Sequence, residues 1–428
     1  MRYLKFVFLL LPVFFVACKE ELAPPPAISV ISPAKNTSAN VGDTLKLRVL
    51  ATSEIKIKYV KIVLLNKNYM QECPVQMYYP ESTKFDLSGE YVISNEYLET
   101  GSYFLYFEVA NDDAVSKAYV PLNLTETNKT TKVVFVFCNN KNANYVNIYK
   151  IDSSFSVNLF RNLAGDFSNG AVNSRNKIVY SAGRFKGNLF FLDAEHNEIL
   201  KQINVPTNLP FPYFEIIYFN NKRFIVGYSD SRIEGYFGDG TLKFSYLFKD
   251  YRLYKVCYDG VYLTCVMKHF TGQSTFIYVV YEDFGTVKGN FFINYDVVNL
   301  FSIEENKNIL FCNNGNQPEI RVLDIYNMII TKIKDLPLGK IFCVEQISSS
   351  SFVFSHSDGI FLYNFENNSV AELIAADTAS HIAFDNVNKF LFLSNAKTLK
   401  VVSFPALGIV NTFEMPDTIK DIKILYNK

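Results

Sequence analysis

The 428-residue sequence contains no tryptophan, only four histidines and no net charge, with 42 basic residues against 42 acidic. Charge balance excludes the basic footprint that a nucleic-acid partner requires. The missing tryptophan excludes WD-type repeats and the sialidase-type Asp-box, and weakens any glycan-binding reading. The histidines, His196, His269, His356 and His381, form no HxH or HExxH pattern, and no CxxC occurs, so no metal site is expected. No GxSxG elbow appears. Beyond the amino terminus no apolar run reaches the ~20 residues that a spanning helix needs. No cofactor is expected.

What is abundant is aromatic: 28 Tyr and 39 Phe, a composition that favours strands. The chain opens MRYLKFVFLLLPVFFVACKEELAPPP. Arg2 and Lys5 precede a short apolar run, Phe6 to Val16, with the length and flanks of a secretory signal core. Ala17-Cys18 ends it and resembles the lipobox of bacterial lipoproteins, in which the cysteine receives a diacylglyceryl group and becomes the new amino terminus. Phe15 stands where Leu is usual, which leaves cleavage by another signal peptidase open. Lys19-Glu20-Glu21 resembles the surface-export signal of Bacteroidota lipoproteins. The expectation is a signal peptide over 1–17, lipid on Cys18 and a proline-stiffened tether over 18–27.

Six further cysteines remain, at 73, 138, 257, 265, 312 and 343. Cys257 and Cys265 flank Asp259-Gly260. A two-residue turn there pairs Tyr258 with Val261 and sets Cys265 opposite Tyr254, with the thiols on opposite sheet faces. All six are read as buried small hydrophobes.

Residues 28–126 alternate with period two, as at Leu45, Leu47 and Val49 and at Tyr103, Leu105, Phe107 and Val109. Several such runs separated by turns predict a β-sandwich. ISVISPAKNTSANVGDTLKL and GSYFLYFEVAND resemble the Ig-like modules of bacterial surface proteins. TETNKTTK is a polar linker.

Residues 131–428 repeat. Apolar strands begin at 132, 177, 223, 261, 308, 351 and 389, about 43 residues apart, which signals a β-propeller with four strands per unit. Strands closing on small or polar residues, such as Cys312-Asn313 and Ser355-His356, are followed by strands closing on Asp, such as NLFFLDA and IRVLDI. This pattern resembles the YVTN-type, or YncE-like, repeat propellers. Six units carry an inner strand: AVNSR, FEIIYFN, YKVCYDG, VVNLFSIE, IFCVEQIS and HIAFDN. The unit at 132 lacks one, and IKDIKILYN, 419–427, is an orphan that would complete a seventh blade and close the ring.

Propellers build one face from two loop sets. Here the first set contains Asp166, Asp250, Asp296, Asp377 and Asp417, with Phe211, Tyr213 and Tyr251. The second contains Asn139, Asn140, Asn142, Arg184, Arg232, His269, Asn313, Asn314, His356, Asp358, Asn395 and Lys397. Asp and Asn at such places cap their own loops. The functional alternative is a polar funnel with Phe211, Tyr213, Arg184, Arg232, Tyr251, His269, Asn313, His356, Asp358 and Asn395 as the candidate ligand contacts.

The fold expected is all-β, an Ig-like sandwich followed by a seven-bladed propeller. The function expected is non-enzymatic ligand binding by an outer-membrane lipoprotein facing the cell exterior. Anchored YncE-like propellers of Bacteroidota include cobalamin-capturing lipoproteins, so the resemblance implies nutrient capture with a TonB-dependent transporter as one role. A protein-binding scaffold or adhesin, and a glycan lyase or hydrolase, stand as alternatives.

Overall fold

The computed structural model describes residues 22–139, 144–206, 212–220, 223–238, 240–272, 274–304 and 306–428. The expected signal peptide, Cys18, Asn140, Asn142 and Phe211 lie outside the described residues. Among the described residues there is no helix, and the chain divides into two compact units, residues 1–128 and 129–428.

The first unit packs a three-stranded sheet against a five-stranded one. The strand Thr44–Thr52 shows why: Leu45, Leu47 and Val49 point inward while their neighbours face water. Opposite them, Val60, Ile62, Leu105, Phe107 and Val109 complete one apolar core. Ala27–Ser32 joins the smaller sheet, and Thr37–Asn40 then joins the larger one, parallel to Val115–Thr125. The chain is tied to this unit from its first described residues. Ala23 N–H donates to the Asp113 carboxylate, and the Pro24 carbonyl accepts from the buried Asn111 amide.

Among the described residues of the second unit, seven four-stranded antiparallel sheets follow one another, a β-propeller. Their inner strands are Asn169–Asn173, Phe214–Asn220, Tyr251–Tyr258, Asp296–Glu304, Ile341–Gln346, His381–Asp385 and Ile419–Tyr426, each next to the following one and the last next to the first. The second strand of each sheet is buried on both faces, as in Ile178–Ala182 and Ser351–His356. Double burial demands continuous apolar runs rather than alternation. That is the physical origin of the repeating motif. One apolar cluster fills each gap between neighbouring sheets.

The carboxyl-terminal strand Ile419–Tyr426 pairs antiparallel with Thr131–Asn139 and completes the first sheet. Thr130 and Asn427 exchange hydrogen bonds beyond the ladder's end. Thr131 Oγ1 donates to Asp385 of the seventh sheet at 2.7 Å, and Tyr426 N–H donates to Ser174 Oγ of the second at 3.0 Å. Ile419 and Ile422 pack with Phe392, Leu399 and Val401 of the seventh sheet, whereas Leu425 packs with Phe135 and Phe137 toward the second.

Three sequence expectations shift. The inner strand expected at 171–175 lies at Asn169–Asn173, and the one expected from 254 begins at Tyr251. The Cys257–Cys265 hairpin differs by two residues in register. The Asp259 carboxylate accepts from the N–H groups of Val261 and Tyr262, and Asp259 N–H donates to the Tyr262 carbonyl. The side chain thereby builds a wider turn in which Tyr258 pairs with Leu263 and Cys265 with Val256. Val256 and Cys257 alternate, so the thiols still point to opposite faces, and they belong to different apolar clusters. All six cysteines are free thiols, five buried and Cys343 half-buried. Burial pushes Cys138, Cys257, Cys265 and Cys343 up to about 12.

Deletion of residues 419–428 removes Ile419, Ile422 and Leu425, all buried. At ~1.5–3 kcal/mol each, their loss alone approaches the ~5–15 kcal/mol that holds a whole domain. The truncated chain is expected to lose the cooperative melting transition of the second unit in calorimetry. A transition retained at the wild-type temperature would refute the closure.

Candidate functional site

The loop candidates divide into local groups. Arg184, Tyr213 and Arg232 meet. Tyr213 N–H donates to the Arg184 carbonyl, and Arg232 donates to the Tyr213 hydroxyl at 3.2 Å. Arg232 also pairs with Asp230 at 3.2 Å and with buried Glu234 at 2.7 Å, and lies over the Tyr228 ring at 4.2 Å. The hydroxyls of Tyr228 and Tyr236 donate to the same Glu234 oxygen. Burial raises both phenols, and the Glu234 carboxylate holds them higher still. Tyr251 and His269 form a second group, ring edge to face at 5.2 Å, with His269 Nδ1 2.8 Å from Thr271 Oγ1.

Asn313, the His356–Asp358 pair and Asn395 lie apart on the fifth, sixth and seventh sheets and serve the fold. Asn313 is bound by both amide atoms to the backbone of Ile341. His356 is fully buried: its Nδ1 lies 3.2 Å from Asp358 N–H, and its Nε2 packs against Gly339. The Asp358 carboxylate lies 3.6 Å from that Nδ1. Asn395 donates to Thr378 Oγ1, beside the Asp377–Lys400 ion pair at 2.7 Å. Asn139 donates to the Tyr145 carbonyl.

Contrary to expectation, Asp166 caps not its own loop but the hairpin loop between Ile178–Ala182 and Leu189–Asp193. Its carboxylate accepts from the N–H groups of Arg184, Phe185, Lys186 and Gly187 at 2.8–3.0 Å. Burial alone would raise it, but these four donors hold it below the usual carboxylate range. Gly183 packs directly on the Gly187 backbone, where a Cβ has no room. Recurring Asp elsewhere forms ion pairs, as Asp296 does with Lys268 at 3.1 Å.

None of the described loop candidates lines the concavity enclosed by the inner strands. That cavity, about 750 Å³, runs along the axis and is lined by all seven inner strands. Its volume lies in the range of small-molecule sites, ~300–1,000 Å³. Its amide side chains stitch one sheet to the next. Asn169 bonds the Ile217 backbone through both amide atoms, Asn299 donates to Val344 and Gln346 to Ser302.

Charged groups converge there: Lys255, Glu345, His381, Lys420, Asp421 and Lys423. Asp421 accepts from Gly170 N–H at 3.0 Å and pairs with Lys423 at 3.0 Å. Burial would lower Lys423, but Asp421 and Glu345 hold it above its ordinary value. Burial lowers Lys255 despite an opposing pull from Asp296. His381 is lowered chiefly by burial and further by Lys423, Lys420 and Lys255, against Asp421. Burial pushes Glu345 up to about 7, against Lys423 and a hydrogen bond from Phe384 N–H. Sequence reasoning missed these groups because it searched loops, whereas they sit on strands. Their signal was charge inside inner strands such as IKDIKILYN and YKVCYDG. No group of three or more His, Cys, Asp and Glu residues suited to a metal occurs among the described residues.

No family model matches the chain, and no curated protein matches it. Among solved structures it is similar to a quinoprotein alcohol dehydrogenase-like protein of Bacteroides thetaiotaomicron, at 12% identity and TM-score 0.47, over 94% of this chain and 99% of that one. It is also similar to a β-propeller domain from Myceliophteria thermophila, at 11% identity and TM-score 0.47, over 61% and 90% of the two chains. A computationally designed protein matches at 14% identity and TM-score 0.45, over 68% and 89%.

Two outcomes are expected. Asp166→Asn leaves at most part of the four-donor cradle satisfied and should cost about 2 kcal/mol, with faster amide exchange at 184–187. Glu345 has a folded pKa above its unfolded value of about 4.3. The folded state therefore binds the extra proton, and stability from this group is complete below about 4.3 and lost as pH rises through about 7. Glu345→Gln should raise the melting temperature relative to wild type at pH 8 and leave it nearly unchanged at pH 4.5. An equal shift at both would refute this assignment.

Proposed function

We propose that this chain is an outer-membrane lipoprotein, anchored through Cys18 and facing the cell exterior, whose propeller binds a small ligand in its axial cavity. The observation that carries the binding reading is the cavity itself, about 750 Å³, with charged side chains from four different inner strands turned into it. On this reading the second unit is a seven-bladed, YVTN-like propeller and the first an Ig-like module that serves as a spacer. The protein is a binder rather than a catalyst, and nutrient capture with delivery to a TonB-dependent transporter is the role that fits an anchored propeller of this kind. Address and lipidation rest on the Ala17-Cys18-Lys19-Glu20-Glu21 sequence.

The test is purification from native outer membrane through a carboxyl-terminal tag, followed by mass spectrometry of proteins and small molecules. A diacylated Cys18, a transporter and a bound small molecule are the expected result. A protein partner with no small molecule would replace capture by a scaffold role. Processing without lipid would overturn the anchor.

A further inference from the structure

The polar groups of the axial cavity fall into two sets, those already used and those left over. Asn169, Asn299 and Gln346 spend their amides on neighbouring backbones. The Cys343 thiol donates to the Ala379 carbonyl. Asp421 is spent on Gly170 and Lys423, and Glu345 takes an N–H from Phe384. Among the described residues the Lys255 ammonium makes no hydrogen bond or ion pair and meets the Tyr254 ring at 5.5 Å. Among the described residues the Lys420 ammonium and the His381 ring, which also line the cavity, make no hydrogen bond or ion pair. The uncommitted ammonium groups, Lys255 and Lys420, lie on two separate strands, Tyr251–Tyr258 and Ile419–Tyr426, and the His381 ring, held below its ordinary value by burial and neighbouring lysines, lies on a third, His381–Asp385.

An ammonium group enclosed without a counter-charge is costly, and a mobile anion relieves that cost. Strands, unlike loops, hold such groups in fixed positions before the ligand arrives. Resting on the ligand-binding reading above, we infer that the axial cavity is built for a small organic oxyanion, carrying carboxylate or phosphate, held by Lys255 and Lys420 with His381 as an additional donor. Lys423 cannot serve equally, because Asp421 already neutralises it. The burial that lowers Lys255 fits this role, since a bound anion would restore its proton affinity.

Calorimetric titration of the full chain tests the inference, with citrate and inorganic phosphate as the anionic probes and glucose as the neutral one, at low salt and pH 7. The expected result is one bound anion per chain, no heat from glucose, and at least tenfold weaker binding in Lys255→Met. Lys420→Gln, at the same cavity, should weaken binding several-fold and serves if the first variant fails to fold. Citrate responding alone would assign a carboxylate ligand, and phosphate alone a phosphorylated one. Equal binding by wild type and both variants, glucose binding as well as the anions, or no binding by the wild type would each overturn the inference. A neutral molecule recovered from native membrane would overturn the oxyanion while leaving ligand capture intact. A protein partner alone would instead overturn ligand capture itself.

Discussion

The second unit depends on one pairing, between the strand nearest its beginning and the strand at its end. Thr131–Asn139 and Ile419–Tyr426 are separated by almost the whole unit in sequence, yet they share a ladder. Without it the first sheet would lack an inner strand, and the apolar faces of the second and seventh sheets would lose part of their covering. The pairing also links stability to the site. The closing strand brings Lys420, Asp421 and Lys423 to the axis, half of the cavity's charged groups. A change that loosens closure must therefore disturb the cavity.

The inner strands carry two conflicting demands. Their backbones need partners across the gaps between sheets, and their inward side chains meet water rather than a core. Asn and Gln meet both, by donating to carbonyls on the next strand while remaining wet. The charged residues meet neither alone. Asp421 and Lys423 neutralise one another and tie into Gly170, whose missing side chain leaves room for the Phe137 ring. Lys255 has no such arrangement, and that asymmetry distinguishes a site from a lining.

Much of the fold was legible in the sequence for a stated physical reason. Second strands buried on both faces must be continuous apolar runs, so KIVYSAG and SFVFSHSDG announce themselves. The orphan strand at 419–427 was legible because its partner at 132 visibly lacked one. Register was less legible. The Asp259 side chain widened its turn through hydrogen bonds that composition cannot reveal, and an irregularity between Leu253 and Lys255 moved the strand start. The cavity charges were hidden for a different reason. A lysine facing an internal channel and a lysine facing solvent give the same alternation along a strand.

Amide hydrogen exchange along Ile419–Tyr426 tests the account most directly, because a chain terminus ordinarily frays. If this strand closes the ring, its amides exchange only with global unfolding of the second unit, at the same free energy as those of Val134, Val136 and Cys138. Exchange of 419–426 through a separate, lower-energy opening, with the partner strand still protected, would contradict it.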